Sequence, residues 1–249
     1  MQQNEQMAYD RGSTIFSPDG RLYQVEYARE AVKRGSVSIG VKTEEHVVLL
    51  AEKRVTSELL VSESIEKIYQ VDDHIAVAAS GHVADARQLV DFARVESQRN
   101  SYMYEEPMDT QTLAKELGDH IQQYTQYGGT RPFGCALLIG GVTEHGVELI
   151  ESEPSGAIIG YKAAGIGEGR AAVEEVLEER YEEGMSHDEG ITLALEALLS
   201  SDADTTLEST EAMVIGEEEI ETLTPDDLEE YAPDDVQDDG DAEDSGQSE

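Results

Sequence analysis

Apolar runs joined by short polar turns alternate along this chain with pairs of amphipathic helical segments, and this order limits the possible folds more than any other feature. Alternating or continuous apolar residues predict strands at residues 37–41, 47–51, 65–71, 74–79, 135–141, 147–151, 157–164 and 212–215. Apolar residues at three- and four-residue intervals predict helices at residues 21–34, 83–93, 113–124, 168–181 and 188–199. Because short turns join successive strands, the sequence favours antiparallel pairing over crossover connections.

The predicted strands are too apolar for a sheet with one face in water. Val47–Ala51, for example, is apolar at every position, which is typical of a strand that is covered on both faces. Two stacked sheets, each with a pair of helices on its outer face, would bury all of these strands. The sequence therefore predicts an α+β fold, a four-layer αββα sandwich, in one domain over residues 21–223.

Polar segments flank this domain. Residues 1–20 contain the breakers Gly12, Pro18 and Gly20, and Ser17–Gly20 is typical of a tight turn, since proline presets φ and glycine permits a positive φ. Residues 224–249 are acidic with little apolar surface to bury, so we predict a disordered tail. Docking of this tail is the alternative.

The chain carries 55 acidic residues against 17 basic ones, a formal net charge of −38. Such a charge makes nucleic acids and anionic membranes unfavourable partners. The acidity extends beyond the tail, because residues 1–216 keep 39 acidic and 17 basic residues, a net charge of −22. An acidic surface with only 6 lysines indicates a protein of concentrated salt, where counterions screen self-repulsion. An ordinary acidic protein with an acidic tail is the alternative.

The sequence indicates no site for a metal or a cofactor. Cys135 is the only cysteine, which excludes an internal disulfide and a cysteine-based zinc site. The six histidines lack the spacing of a zinc-binding helix, and the glycine cluster at 165–169 lacks the dinucleotide fingerprint. We find no apolar run of membrane-spanning length and no signal-peptide core, so we expect a cytoplasmic protein.

Several ordered motifs resemble the signature of one family. They are Tyr9-Asp10-Arg11-Gly12, Phe16-Ser17-Pro18-Asp19-Gly20-Arg21-Leu22-Tyr23-Gln24-Val25-Glu26-Tyr27-Ala28, Ala31-Val32-Lys33-Arg34-Gly35, Ser64-Ile65-Glu66-Lys67-Ile68, Ser80-Gly81-His82-Val83-Ala84-Asp85-Ala86-Arg87 and residues 123–134. In these motifs the chain resembles proteasome α subunits, most closely archaeal members, over about residues 6–216. The resemblance implies the N-terminal nucleophile hydrolase-like αββα fold, which agrees with the fold predicted from the order of elements.

The resemblance also implies a function. Proteasome α subunits form heptameric rings that cap two β rings in the 20S core particle, and they do not cut peptides. They control the access of unfolded proteins to the proteolytic chamber and dock ATPase activators through the activators' C-terminal tails. The expected partners are therefore other α subunits, β subunits, an activator and unfolded substrates. We expect no nucleic acid, membrane, metal or cofactor among them, and no catalytic residue.

The resemblance assigns residues 1–20 to a gate across the pore of the ring. The residues that match the family's gate cluster are Tyr9, Asp10, Pro18 and Tyr27. Their chemistry suits the role, since tyrosine offers a ring face and a hydroxyl, aspartate accepts that hydroxyl's hydrogen bond, and proline stiffens the turn. Simple packing of Pro18 and Tyr27 is the alternative.

Activator docking is assigned by the resemblance to Lys67, with Gly35, Gly81 and His82 lining the same pocket. A point cation suits a terminal carboxylate, and a surface ion pair with glutamate 63 or 66 is the alternative for Lys67. His82 replaces the apolar residue that is usual in archaeal members, which predicts a different affinity and a pH dependence.

Tyr127, Gly128 and Gly129 resemble the loop that narrows the channel beneath the gate. Small residues there permit a tight ring of seven loops. A plain connecting loop is the alternative.

A self-processing β-type peptidase that uses Ser36 is the rival function. Catalytic relatives use an N-terminal threonine whose free amine is the base, exposed by cleavage after a glycine, and Gly35-Ser36 stands at the matching place. Glu52 and Lys67 fall near the family's catalytic acid and lysine. The predicted helix over 21–34 would block both the amine and the substrate, which favours the non-catalytic function. A free-standing acidic binding protein, a third class, would leave the ring motifs without a purpose.

Overall fold

The computed structural model describes residues 14–55, 57, 59–201, 205–217 and 219–233, apart from the side chain of Glu63. The strands of this part of the chain are β1 Ser38–Lys42, β2 Val47–Glu52, β3 Ile68–Asp72, β4 Ile75–Gly81, β5 Cys135–Thr143, β6 Gly146–Ser152, β7 Ile158–Gly160, β8 Ala163–Ile166, β9 Thr210–Ile215 and β10 Ile220–Leu223. Its helices are α1 Tyr23–Lys33, α2 Val83–Tyr104, α3 Thr110–Gln126, α4 Arg170–Arg180, α5 His187–Leu199 and α6 Pro225–Glu229, with a short 3-10 turn at Ser62–Ser64.

The strands form two antiparallel sheets of five strands each, in the orders β10-β9-β2-β1-β8 and β3-β4-β5-β6-β7. The register pairs Ile39 with Leu50 in the first sheet and Val77 with Ile139 in the second. Helices α4 and α5 cover the outer face of the first sheet, and α2 and α3 cover that of the second. The predicted four-layer αββα sandwich is therefore confirmed.

Strand alternation decides which layer each side chain faces. In β2, Val48 and Leu50 pack into the cluster beneath α4 and α5, whereas Val47 and Leu49 pack between the two sheets. All of β2 is buried. The continuous apolar runs in the sequence thus belong to strands that contact apolar layers on both faces, as predicted.

The first helix begins later than the sequence predicts. We expected it to start at Arg21, but α1 starts at Tyr23. The Arg21 amide donates to the Ser17 hydroxyl at 3.1 Å, and the Ser17 amide donates to the Arg21 carbonyl oxygen at 2.9 Å. Because these bonds hold Arg21 in the preceding turn, the helix forms only after it.

The single strand predicted over residues 157–164 is wrong. The chain forms β7 at the edge of one sheet and β8 at the edge of the other. The Tyr161 amide still donates to the Leu149 carbonyl oxygen of β6 at 2.8 Å. The carbonyl oxygen of the following residue, Lys162, already accepts the Lys42 amide of β1 at 2.8 Å. The chain therefore changes sheets within two residues, which periodicity alone does not reveal.

The disorder predicted from Thr224 is wrong for residues 224–233. Helix α6 begins with a capping box between Thr224 and Asp227 and has Pro225 in its first turn. Leu228 is fully buried in the cluster beneath α4 and α5, together with Ala232. Two apolar side chains at helical spacing outweigh the acidic composition here. Residues 234–249 lie outside the described residues, and their disorder stays a prediction.

We predict that Leu228→Ala lowers the free energy of unfolding by about 2–4 kcal/mol, because it leaves a cavity in a fully buried site. Urea titration in molar salt would measure it, with the exposed Asp226→Ala as the matched control. Removal of residues 224–249 should cost at least as much, and removal of 234–249 should cost little. Equal midpoints for both truncations would show that α6 does not contribute to the fold.

Candidate functional site

Residues from three separate motifs meet at one edge of the sandwich, where β1 and β3 begin and β4 ends. The Ala79 amide donates to the Lys67 carbonyl oxygen at 3.0 Å, and the Ser38 hydroxyl donates to the Ala79 carbonyl oxygen at 3.0 Å. Gly35 lies so close to the end of β4 that a Cβ on it would stand 2.2 Å from the Gly81 nitrogen. Only glycine fits this approach. The predicted docking residues Gly35, Lys67 and Gly81 therefore lie together at this edge of the sandwich, which we call the docking edge.

Ser36 is buried at this edge. Its hydroxyl donates to the Glu52 carbonyl oxygen at 2.8 Å, and its carbonyl oxygen accepts the Ser80 hydroxyl at 2.8 Å. Its nitrogen belongs to the peptide that follows α1, and α1 packs against β4 and β5 beside it. An N-terminal nucleophile needs a free amine and an accessible hydroxyl, and Ser36 has neither in this chain.

Lys67 is a desolvated cation, with 7% of its surface exposed. Burial lowers the pKa of its ammonium to about 8, although the charges of Glu52 and Glu211 oppose the shift. The Glu211 carboxylate accepts the Lys67 backbone amide at 2.8 Å rather than pairing with the ammonium. Among the described side chains, Glu66 included, none forms an ion pair with Lys67, so the alternative, a surface pair with Glu66, is not formed. Glutamate 63 lies outside the described side chains.

Pro18 lies in the tight turn that the sequence predicted. The Gly20 amide donates to the Ser17 carbonyl oxygen at 2.8 Å. Gly20 adopts a φ of 76°, a conformation that favours glycine. Pro18 itself is exposed on this turn, immediately before α1.

The other predicted gate residues differ in what the structure describes. Tyr27 lies on α1 with about half of its surface exposed. Tyr9 and Asp10 lie outside the described residues. The gate cluster as a whole therefore stays a prediction.

The predicted channel loop follows α3 directly. Tyr127 is exposed, and the Thr130 hydroxyl donates to its carbonyl oxygen at 2.8 Å and to that of Tyr124 at 3.2 Å. A Cβ added at Gly128 or Gly129 would meet no atom within 4 Å. The tip of the loop thus projects from the domain while its base is closed by hydrogen bonds.

His82 is the N-terminal cap of α2 and is exposed. Its amide donates to the Gly134 carbonyl oxygen at 2.9 Å. Gly81, with a φ of 106°, lies so close that a Cβ on it would stand 2.4 Å from the same oxygen. The start of α2 and the connection after α3 are therefore packed directly together.

The sequence did not predict two interactions at this edge. Asp85 and Arg131 form an ion pair across 46 residues, and Glu211 binds the Lys67 amide across 144 residues. Both acidic residues are two among 55 in the chain, so nothing distinguished them. Asp85 and Arg131 both lie inside motifs that carry the family resemblance, which was the only available signal.

The described part of the chain contains neither a metal-binding cluster nor a membrane-spanning helix. Among these residues, no group of three or more histidine, cysteine, aspartate or glutamate side chains is placed to hold a metal ion. Cys135 is fully buried, and burial raises the pKa of its thiol to about 12. No helix in the described ranges has both the length and the apolarity that a bilayer crossing requires.

Comparison with known proteins identifies the family. Residues 32–215 match the sequence profile described as "Proteasome subunit", and residues 9–31 match the profile of the N-terminal signature of A-type proteasome subunits. "Proteasome subunit alpha 1" of Haloarcula marismortui is 55% identical over 222 residues, covering 89% of this chain and 85% of that protein. "Proteasome subunit alpha 1" of Haloferax volcanii is 60% identical over 199 residues, covering 80% and 79%. "Proteasome subunit alpha" of Methanosarcina acetivorans is 53% identical over 227 residues, covering 87% and 92%.

The sandwich and the profile that spans it define the class: this chain belongs to the proteasome subunit family. The N-terminal signature and the names of its relatives narrow the assignment to the archaeal α type. The resemblance found in the sequence motifs is thereby confirmed. Relatives from halophilic archaea agree with the acidic surface.

Ser36→Ala should leave peptide hydrolysis by an assembled core particle unchanged, because the hydroxyl is buried and bonded to a main-chain oxygen. The lost hydrogen bond should cost about 1 kcal/mol of stability. Ser38→Ala, which removes a buried hydroxyl bonded to the Ala79 carbonyl oxygen, is the matched control. Fluorogenic peptide assays would decide. A large loss of rate with Ser36→Ala alone, at intact assembly, would support the self-processing peptidase instead.

Proposed function

We propose that this chain is a non-catalytic α subunit that forms the outer heptameric ring of a 20S core particle in the cytoplasm. It controls the access of unfolded proteins to the chamber of the β subunits and docks an ATPase activator. One observation carries the proposal: α1, which contains the last part of the α-type signature, is joined through Arg34 and Gly35 to the buried Ser36. The position at which catalytic relatives bear a free nucleophile is therefore blocked by α1, and we assign the surrounding edge to docking instead.

The chemistry of the docking edge supports an activator that ends in a carboxylate. Lys67 brings a desolvated positive charge, which gains more from an approaching carboxylate than an exposed lysine does. Gly35 and Gly81 bring main-chain atoms close together beside it. A mainly apolar cavity of about 450 Å³ borders the same edge, between α1 and the start of α4, and is lined by Val32 and Gly167 among others. An apolar residue near the activator's C-terminus would fit there.

The gate is assigned to residues 1–20 and rests on the turn at Pro18. This turn is fixed by hydrogen bonds on both sides of Ser17 and ends where α1 begins. A rigid turn between an anchored helix and the preceding segment suits a pivot, because a small rotation there displaces the residues before it by a larger distance. Tyr27 is half exposed on α1, so its ring can contact a neighbouring subunit.

The ring must also tolerate its own charge. Seven chains with a formal charge of −38 each repel one another strongly in dilute buffer. Molar salt reduces the screening length to about 3 Å, against roughly 30 Å at 0.01 M. Apolar contacts and short-range pairs then hold neighbouring subunits together. The acidic surface is therefore compatible with a ring in the concentrated salt that we propose for this protein.

Deletion of residues 2–11 should speed the hydrolysis of an unfolded protein such as casein several-fold, because the segment across the pore is removed. Hydrolysis of a small fluorogenic peptide should rise less, since a small peptide passes a partly closed pore. Deletion of residues 240–249 from the acidic tail is the matched control and should change neither rate. Equal casein rates for the intact and the truncated particle would contradict the gate.

Docking should weaken as the pH rises through about 8, because Lys67 then loses its proton. Affinity for a peptide with a free C-terminal carboxylate should fall about tenfold per pH unit above that value. Lys67→Arg should keep binding constant between pH 7 and 9.5, and Lys67→Met should abolish it. Lys115→Met, at an exposed lysine of α3 that does not line the cavity, is the control. Fluorescence anisotropy with the labelled peptide would measure this, and pH-independent binding to the unaltered chain would exclude Lys67 as the docking cation.

A further inference from the structure

Asp85, in the first turn of α2, and Arg131, on the connection after α3, form a bidentate ion pair. The two terminal nitrogens of Arg131 donate to the two carboxylate oxygens of Asp85 at 2.6 and 2.7 Å. The Asp85 side chain is 7% exposed and also accepts the Gly134 amide at 2.8 Å. A bidentate, charge-assisted pair fixes orientation as well as distance.

This ion pair anchors the base of the channel loop. Arg131 directly follows Thr130, whose hydroxyl closes the loop on the end of α3, and it donates to the Pro132 carbonyl oxygen at 3.0 Å. The tip, Tyr127–Gly129, is exposed, and its two glycines have open space around them. The tip thus extends between two anchors, the end of α3 on one side and Asp85 on the other.

The same aspartate is continuous with the docking edge. The Asp85 amide donates to the His82 carbonyl oxygen at 3.0 Å, and the His82 amide donates to the Gly134 carbonyl oxygen at 2.9 Å. Gly134 in turn packs against α1, since a Cβ added to Gly134 would stand 3.6 Å from the Cβ of Ala31. The docking edge, Asp85 and the base of the loop therefore form one bonded unit.

We propose that the Asp85–Arg131 ion pair is a clamp that holds the channel loop at a fixed position against the docking edge and so sets the size of the substrate that passes. The inference rests on the proposed function, because it takes Tyr127–Gly129 as the loop that narrows the channel. Asp85 and Arg131 are positioning residues, since neither touches the substrate. The clamp acts independently of the N-terminal gate, because it fixes the channel from the side of α2 and α3.

The local electrostatics keep the clamp closed under working conditions. Burial alone would raise the pKa of the Asp85 carboxyl, but the hydrogen bonds from Arg131 and from the Gly134 amide outweigh it and lower that pKa. The carboxylate therefore stays ionised near neutral pH. Concentrated salt screens distant charges more than a hydrogen-bonded pair with one nearly buried partner, so the clamp persists in the medium that the acidic surface indicates.

The test uses core particles assembled from the full chain and its β partner, in molar KCl, and from the same chain without residues 2–11. Asp85→Asn and Arg131→Gln remove the clamp and keep the volume of each side chain close to the original. We expect the ratio of casein hydrolysis to fluorogenic peptide hydrolysis to rise about threefold or more in both backgrounds. The double variant should show no larger change than either single one, because one interaction is lost in all three.

Arg99→Gln is the matched control for Arg131→Gln. Both arginine side chains are 61% exposed and each pairs with one carboxylate, Glu96 in the case of Arg99. If Asp85→Asn prevents assembly, Arg131→Gln still tests the clamp, because the Arg131 side chain is exposed and its replacement should not block assembly. A lower melting temperature with an unchanged hydrolysis ratio would overturn the clamp, since it would show a purely structural pair.

Tyr127→Ala separates the failure of the clamp from the failure of the proposed function. A raised ratio for Tyr127→Ala with no change for the clamp variants would overturn the clamp and leave the channel loop in place. No change for Tyr127→Ala would overturn the assignment of the loop itself, and the clamp with it. A raised ratio for Tyr127→Ala, Asp85→Asn and Arg131→Gln, but not for Arg99→Gln, is the expected result.

Discussion

The face-to-face packing of two antiparallel sheets is the constraint on which the rest of the structure depends. Each central strand contacts the opposite sheet with one face and a helix pair with the other, so its side chains are apolar on both. The faces of the sandwich are then fully occupied by packing. The functions that we propose are therefore placed at the ends of the sheets and in the connections there, where the residues of the docking edge, the turn at Pro18 and the predicted channel loop lie.

The docking edge shows how one arrangement of atoms can serve two kinds of chemistry. Ser36, Glu52 and Lys67 lie close to one another, as a nucleophile, an acid and a lysine would in a catalytic relative. Because the chain of α1 precedes Ser36, the Ser36 nitrogen is part of a peptide bond and not a free amine. The Ser36 hydroxyl donates its hydrogen bond to the main-chain oxygen of Glu52. What remains is a buried lysine with a lowered pKa at the same edge as the closely packed Gly35 and Gly81. This arrangement suits the carboxylate binding that we propose, and it lacks the free amine that would activate a nucleophile.

A chain with a formal charge of −38 uses its few cations at defined positions. Arg170 binds the nearly buried Glu151 through two nitrogens, at 2.8 and 3.2 Å, and Glu174 through a third at 2.6 Å. Arg131 holds the nearly buried Asp85 in the same bidentate manner. Exposed pairs contribute little in concentrated salt, whereas pairs with one buried partner retain their hydrogen bonds. These arginines therefore fix joints between elements rather than balance the surface charge of the chain.

The sequence by itself determined the class of fold, because apolar patterning reports which faces a strand or helix must bury. It also determined the family, because the motifs lie in order along most of the chain. It could not show that residues 157–164 change sheets, since both halves of that segment are strands with the same periodicity. It predicted disorder where Leu228 is buried, because composition does not reveal whether an apolar site exists elsewhere in the fold. Only the tertiary structure selected Asp85 and Glu211 from 55 acidic residues, because their partners lie 46 and 144 residues away. Arg131 reaches Asp85 only when β5 pairs with β4, and Lys67 reaches Glu211 only when the two sheets pack together.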